Sequence, residues 1–189
     1  MKGTATKSVY LTFDDGPTPD ATPNVLDILA VHKIKATFFC VGANVERNPH
    51  LYQRIINEGH SVGNHTYSHI NGWKTSTADY IADVKKCSEV LKSHLFRPPY
   101  GRITIKQYRE LKKEFSIILW DVLTGDYKIN FGGDKCLEVV KKYSRNGSII
   151  LFHDSEKSAE KIPDLVSKSI ELLKERNYNF KPLSDIKSN

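Results

Sequence analysis

The chain has 189 residues, 39% hydrophobic and 26% charged, with a formal net charge of +6. That length fits one domain with a sizeable core, and 10% aromatic residues exclude global disorder. Its apolar stretches, such as Ala36–Val41 and Ile117–Trp120, fall far short of the roughly 18 residues of a membrane span. In chain order, the first β-rich run is Ser8–Phe13, followed by Pro23–His32 with Val25, Ile28 and Leu29 at helical spacing. A second strand, Ala36–Val41, precedes a helix over Pro49–Glu58 carrying Leu51, Ile55 and Ile56. Ser61–Gly63 is the third strand. Thr77 reads as the N-cap of a helix over Ala78–His94, with Ile81, Val84, Val90 and Leu91 on one side. Leu95–Arg97, a helix over Gln107–Glu114, Ser116–Asp121, a helix over Lys135–Tyr143 and Ser148–His153 come next. A helix over Pro163–Arg176 and a last strand, Asn179–Leu183, complete the series, and Asp185–Asn189 reads as a frayed tail.

Strands alternating with helices argue for a parallel sheet with helical crossovers. Seven strand candidates are one short of an eight-fold barrel. The expected class is therefore α/β, a distorted, incomplete (β/α) barrel with about seven parallel strands, formed by one domain over residues 1–189. An open doubly wound sheet is the second choice. Basic residues lie mostly beside acids, as in Lys112-Lys113-Glu114, and no basic run is interleaved with aromatics, so no nucleic-acid partner is expected. Cys40, Cys87 and Cys136 are widely spaced, without a CxxC pair, and read as core filler. The polar start, Met1–Lys7, is no signal peptide. The expectation is a cytoplasmic chain, or an envelope or secreted one if an N-terminal segment is missing.

Ionisable residues, with two glycines, cluster just after the strands. Asp14, Asp15 and Gly16 follow the first, His65 and His69 the third, Arg97, Tyr100 and Gly101 the fourth, Asp121 and Asp126 the fifth, and His153 and Asp154 end the sixth. The carboxyl ends of parallel strands face one way, and sites are built there. The pair Asp14-Asp15 is costly unless something positive compensates it, although a turn or helix cap would also use such residues. Histidines four apart can converge on one ion, whether on a helical turn or on a tight loop. Two histidines and one Asp make three ligands with open positions for water and substrate. The same set on other folds serves iron oxygenases. Trp73 is either loop packing or a sugar platform, Trp120 reads as core, and His60 as a turn residue.

Four motifs occur in order: Thr12-Phe13-Asp14-Asp15-Gly16-Pro17, His65-Thr66-Tyr67-Ser68-His69, Arg97-Pro98-Pro99-Tyr100-Gly101 and Leu151-Phe152-His153. They resemble the polysaccharide deacetylases of carbohydrate esterase family 4, over nearly the whole chain, and that family has a distorted, incomplete (β/α) barrel. The resemblance implies a metal-dependent hydrolase that removes N-acetyl, or O-acetyl, groups from a glycan such as peptidoglycan or a chitin-like N-acetylglucosamine polymer. It implies a divalent metal, zinc first and cobalt or another ion second, on Asp15, His65 and His69. It makes Asp14 the general base, Arg97 its partner, Tyr100 the backbone donor to the oxyanion and His153 the general acid, tuned by Asp126. Leu151 would line the acetyl pocket, with Tyr127 and Pro99 toward the substrate. The family's D-x-x-D-W reads Leu123-Thr124-Gly125-Asp126-Tyr127 here, which changes the groove wall more than the chemistry. Asp121 has no assigned role. A monomer with an acetylated glycan partner is expected, and an inert carbohydrate-binding module on the same fold is the alternative.

Overall fold

A computed structural model of the chain describes residues 7–185, so most of the expected C-terminal tail lies outside the described residues. The strands are β1 (Lys7–Asp14), β2 (Thr37–Cys40), β3 (Ser61–Asn64), β4 (Leu95–Phe96), β5 (Ser116–Ile117), β6 (Val122–Leu123), β7 (Ile149–His153) and β8 (Tyr178–Phe180). The helices are α1 (Thr22–His32), α2 (Gly42–Arg47), α3 (Pro49–Asn57), α4 (Thr77–Val90), α5 (Ile105–Leu111), α6 (Gly133–Tyr143) and α7 (Ile162–Glu175). Seven parallel strands run in the order β5-β4-β3-β2-β1-β7-β6, and β8 pairs with the start of β1. The result is a curled half-barrel with a gap, since no described ladder joins β5 to β6.

Alternation along the strands sorts the side chains. Register pairs Phe13 with Phe38 and with Phe152, and the three rings stack at 5.0 and 5.6 Å. They join Val25, Leu29, Ile55, Leu165 and Ile170 in the core between sheet and helices. The next row pairs Asp14 with Phe39 and with His153. Successive residues point to opposite faces, so this row faces the barrel interior. Phe39 fills that interior with Leu95 and Leu183. Gly63 is required beside it, because a Cβ there would lie 2.4 Å from the Phe39 ring.

Several boundaries differ from the expected ones. The strand expected over Ser116–Asp121 is only Ser116–Ile117, and a second strand, Val122–Leu123, begins just beyond it. The β4 ladder ends where Ile118 N–H donates to Phe96 O, and the chain then crosses to β7, where Asp121 N–H donates to Ile149 O. Asp121 itself accepts from Ile149 N–H at 2.8 Å, which anchors the start of β7. The N-cap of α4 is Ser76, not Thr77. Ser76 has extended backbone and its hydroxyl accepts from Asp79 N–H. That helix ends at Val90, because Ser93 Oγ captures Leu95 N–H and sends the chain into β4. The short α2 carries too few residues to show a helical period. His60 is buried, with its Nδ1 accepting from Ala36 N–H and its ring against Phe38. It is a packing residue, and burial, with Lys35 nearby, lowers its pKa to about 4. The three cysteines are free and buried. No described helix is long and apolar enough to cross a membrane.

Candidate active site

Asp14 ends β1 facing the interior, and the gap between β5 and β6 gives it a partner. Arg97 follows β4 and is 0% exposed. Its Nη1 donates to Asp14 Oδ1 at 2.7 Å and to Thr12 Oγ1 at 2.9 Å. Its Nε and Nη2 donate to Ile118 O and Leu119 O at 3.3 and 3.2 Å. The guanidinium thus occupies the place where a ladder would close the barrel, and its Cζ lies 4.0 Å from the Phe39 ring centroid. Burial lowers the Arg97 pKa against the pull of Asp14, but a guanidinium starts so high that it stays cationic.

Asp15, His65 and His69 converge next to Asp14. Asp15 Oδ1 lies 3.6 Å from His65 Nε2 and 3.0 Å from His69 Nε2, and all three ligand atoms lie within 4.8 Å of one another. The histidines reach this arrangement without a helix. His65 follows β3, while Thr66 and His69 have φ of 63° and 54°. Asp15, at φ 83°, turns sharply away from β1. His65 Nδ1 sits 2.7 Å from Arg97 O. A carbonyl only accepts, so Nδ1 carries the hydrogen, and in the neutral ring Nε2 presents a lone pair to the cluster. Burial opposes the Asp15 charge, but His65 and His69 outweigh it and hold the carboxyl well below the usual range. Two imidazole nitrogens and one carboxylate oxygen, with the Arg97 carbonyl already holding the His65 ring, fit a divalent transition metal such as zinc.

On the other side, β7 delivers His153. Its Nδ1 is 2.8 Å from Asp126 Oδ1, and its backbone N–H donates to Asp126 Oδ2 at 2.7 Å. Thr124 Oγ1–H and Tyr127 N–H also donate to Asp126, which fixes its carboxylate. Burial opposes protonation of His153, but Asp126, with smaller contributions from Asp15 and Asp14, pushes its pKa up to about 9. The Tyr127 ring packs edge-on against His153 at 5.0 Å.

A groove of about 1460 Å³ joins these groups, lined among others by Asp14, Asp15, His65, His69, Tyr100 and His153. Leu151 and Leu123 are register partners on β7 and β6 and both line it. Leu123 therefore extends an apolar wall where an Asp would have stood. Tyr127 lines the groove, whereas Pro99 is buried in a 3-10 turn outside the lining and positions Tyr100. Trp120 lines the groove as well, so it is a wall residue and not core.

Four further residues position the site, and no role could be read for them in the sequence. Asp154 is buried, its Oδ1 accepts from Gly16 N–H at 3.1 Å and its Oδ2 is 2.6 Å from Thr22 Oγ1. A Cβ on Gly16 would stand 1.9 Å from Asp154 Oδ2, so only glycine fits there. Burial, reinforced by Asp15 against the Thr22 hydrogen bond, pushes the Asp154 carboxyl up to about 8. Asn44 Nδ2 donates to Asp15 O at 2.7 Å. Asp83 Oδ1, from α4, accepts from Tyr67 and Ser68 N–H and pins the histidine loop. Thr12 joins β1 to Arg97. Asp154, beside His153, and Thr12, in the first motif, had a hint; Asn44 and Asp83 had none.

The chain matches the family model described as polysaccharide deacetylase over residues 1–115. It is 42% identical over 154 residues to a peptidoglycan-N-acetylglucosamine deacetylase of Bacillus cereus, covering 78% of this chain and 56% of that protein. It is 35% identical over 187 residues to a second Bacillus cereus protein of that name, covering 95% of this chain and 88% of the relative. The chain thus spans just over half of the first relative and most of the second. Among solved structures, a peptidoglycan N-acetylglucosamine deacetylase in complex with 4-naphthalen-1-yl-N-oxidanyl-benzamide superposes with a TM-score of 0.89 at 38% identity, covering 93% of this chain and 86% of that one.

Proposed function

The chain belongs to the polysaccharide deacetylase family, a family of hydrolases, and from that premise we propose that it is a metal-dependent deacetylase of N-acetylglucosamine residues in a glycan such as peptidoglycan. The observation that carries this reading is the convergence of Asp14, Asp15, His65, His69 and His153 on one groove. Asp15, His65 and His69 would hold the ion, zinc by the chemistry of its donors. When bound, such an ion supplies a Lewis acid that polarises the acetyl carbonyl and lowers the pKa of a water molecule.

The chain's own groups do the rest. Arg97 engages Asp14 Oδ1 and leaves Oδ2, 3.8 Å from His65 Nε2, facing the metal ligands. Asp14 Oδ2 takes the proton of the attacking water. The Tyr100 N–H meets the negative charge that develops on the acetyl oxygen, as a preorganised donor should. His153 gives its Nδ1–H to Asp126, so its Nε2–H is left for the departing nitrogen. The C–N bond breaks as that proton arrives, releasing acetate and a free amine. Leu151 and Leu123 exclude water around the acetyl methyl.

The test is acetate release over a panel of N- and O-acetylated glycans, with zinc supplied and then removed by a chelator. Release from N-acetylglucosamine oligomers or peptidoglycan that stops on chelation and returns with metal is the expected result. No release from any glycan by metal-loaded protein would overturn the reading. Glycan binding without turnover would favour the inert module, for which a paired base and a tuned acid have no use.

A further inference from the structure

The groove has an anionic floor and a cationic rim. Asp14 is buried and Asp15 half-buried in it, while Arg47, Lys74, Arg102 and Lys157 line it as exposed residues, with Glu46 and Glu156. Among the described residues none of the four cations enters an ion pair. Arg47 donates to Asn44 Oδ1, and Glu46 is engaged by the Tyr67 hydroxyl.

Two of these cations belong to a built surface. The His69 ring, a metal-ligand candidate, meets the Tyr100 ring edge-on at 4.8 Å, and Tyr100 is 59% exposed. Two residues on, Arg102 Cζ lies 5.1 Å over the ring of Trp73, which is 65% exposed. The indole does not swing free, because its Nε1–H donates to Ile103 O at 3.3 Å. Gln107 binds the loops after β3 and β4 into one unit. Its Nε2 donates to Gly72 O and Thr75 O, and its Oε1 accepts from Thr104 N–H. Trp73 is thus neither simple loop packing nor a free sugar platform. Its face supports Arg102. A guanidinium stacked on an indole is preorganised, and its fork matches a carboxylate. A neutral glycan gives these cations no charged partner, whereas a carboxylate-bearing one does.

We propose that Tyr100, Arg102 and Lys74 form a subsite for a sugar bearing a carboxylate, next to the sugar that loses its acetyl group. Tyr100 offers its exposed ring to the apolar face of the sugar, and Arg102 and Lys74 take the carboxylate. This rests on the deacetylase reading, and it adds a preference for acidic over neutral glycans. The test compares three tetrasaccharides of equal length with the full metal-loaded chain: an N-acetylglucosamine tetramer, one in which alternate sugars are 3-O-lactyl ethers, and the same compound with its lactyl carboxylates amidated. The wild type should favour the carboxylate over its amide by about tenfold in kcat/KM, the size of one hydrogen bond to a charged group. The preference should lie in KM and fade as salt is raised. Arg102→Gln should bring the carboxylate-to-amide ratio to about one, and Lys74→Gln should lower it by a smaller factor. A ratio near one in the wild type, or one that survives both substitutions, overturns the subsite and leaves the deacetylase standing. Acetate from none of the three compounds overturns the deacetylase and the subsite with it.

Discussion

Two carboxylate–cation pairs are seated on the neighbouring strands β1 and β7, with nearly equal separations of 2.7 Å for Asp14–Arg97 and 2.8 Å for Asp126–His153. They differ in the cation. Arg97 is wholly buried, donates to four acceptors and cannot give up its proton at any working pH. In the proposed reaction that pair orients a proton acceptor. His153 is 13% exposed at its side chain and carries a proton that it can lose. In the same proposed reaction that pair delivers a proton. The lesson is that the same contact becomes a structural strut or a chemical device according to whether its cation titrates.

If the first pair is a strut, breaking it should cost stability as well as activity. Arg97→Ala leaves Asp14 buried without its partner and opens the barrel gap. It should destabilise the fold by about 3–5 kcal/mol, read as a lowered midpoint in urea unfolding. His153→Ala should separate the two effects. Acetate release should fall by about 10²–10⁴-fold, the range for a lost general acid. Stability should fall by less than in Arg97→Ala, because three other donors still hold Asp126. Equal stability losses in the two variants would erase the distinction.

The metal loop offers a smaller test. Gly16→Ala forces the loop away from Asp154 and should weaken zinc binding by about tenfold, as changes to the groups that hold a ligand in place do. Competition with a fluorescent chelator reads this without any turnover. The smallest effect concerns pH. The His153 pKa is raised from 6.5 to about 9. Its stabilising contribution is then complete below about pH 6.5 and is lost as pH rises through about 9. Wild-type unfolding free energy should fall over that window, and His153→Ala should lack this part of the fall. The proposed reaction requires the protonated form, so Asp126→Asn should move the alkaline limb of kcat/KM to lower pH. An unmoved limb would mean that Asp126 does not tune the acid.

Much of this was legible in the chain. Asp14 and Asp15 follow a run of strand residues, His65 and His69 keep a ligand spacing, and strand ends gather in one place whatever the packing details. The half-barrel followed from alternating elements. What could not be read depends on partners distant in sequence. The break between β5 and β6 exists because Arg97 takes Ile118 O and Leu119 O in place of a neighbouring strand. Asp83 looks like any polar helix residue until Tyr67 and Ser68 N–H find it. Trp120 sits in an apolar run, yet it lines the groove because that run leaves the sheet. Leu123, a departure from the family's motif, acquires a meaning only beside Leu151.

The most direct measurement is the rate of acetate release from an N-acetylglucosamine tetramer by zinc-loaded wild type, Asp14→Asn and His153→Ala, side by side. The expected result is clear turnover by the wild type and a loss of about 10²-fold or more in each variant, with both variants still binding zinc. Undiminished release by Asp14→Asn would contradict the assignment of the base, and with it the division of labour between the two pairs.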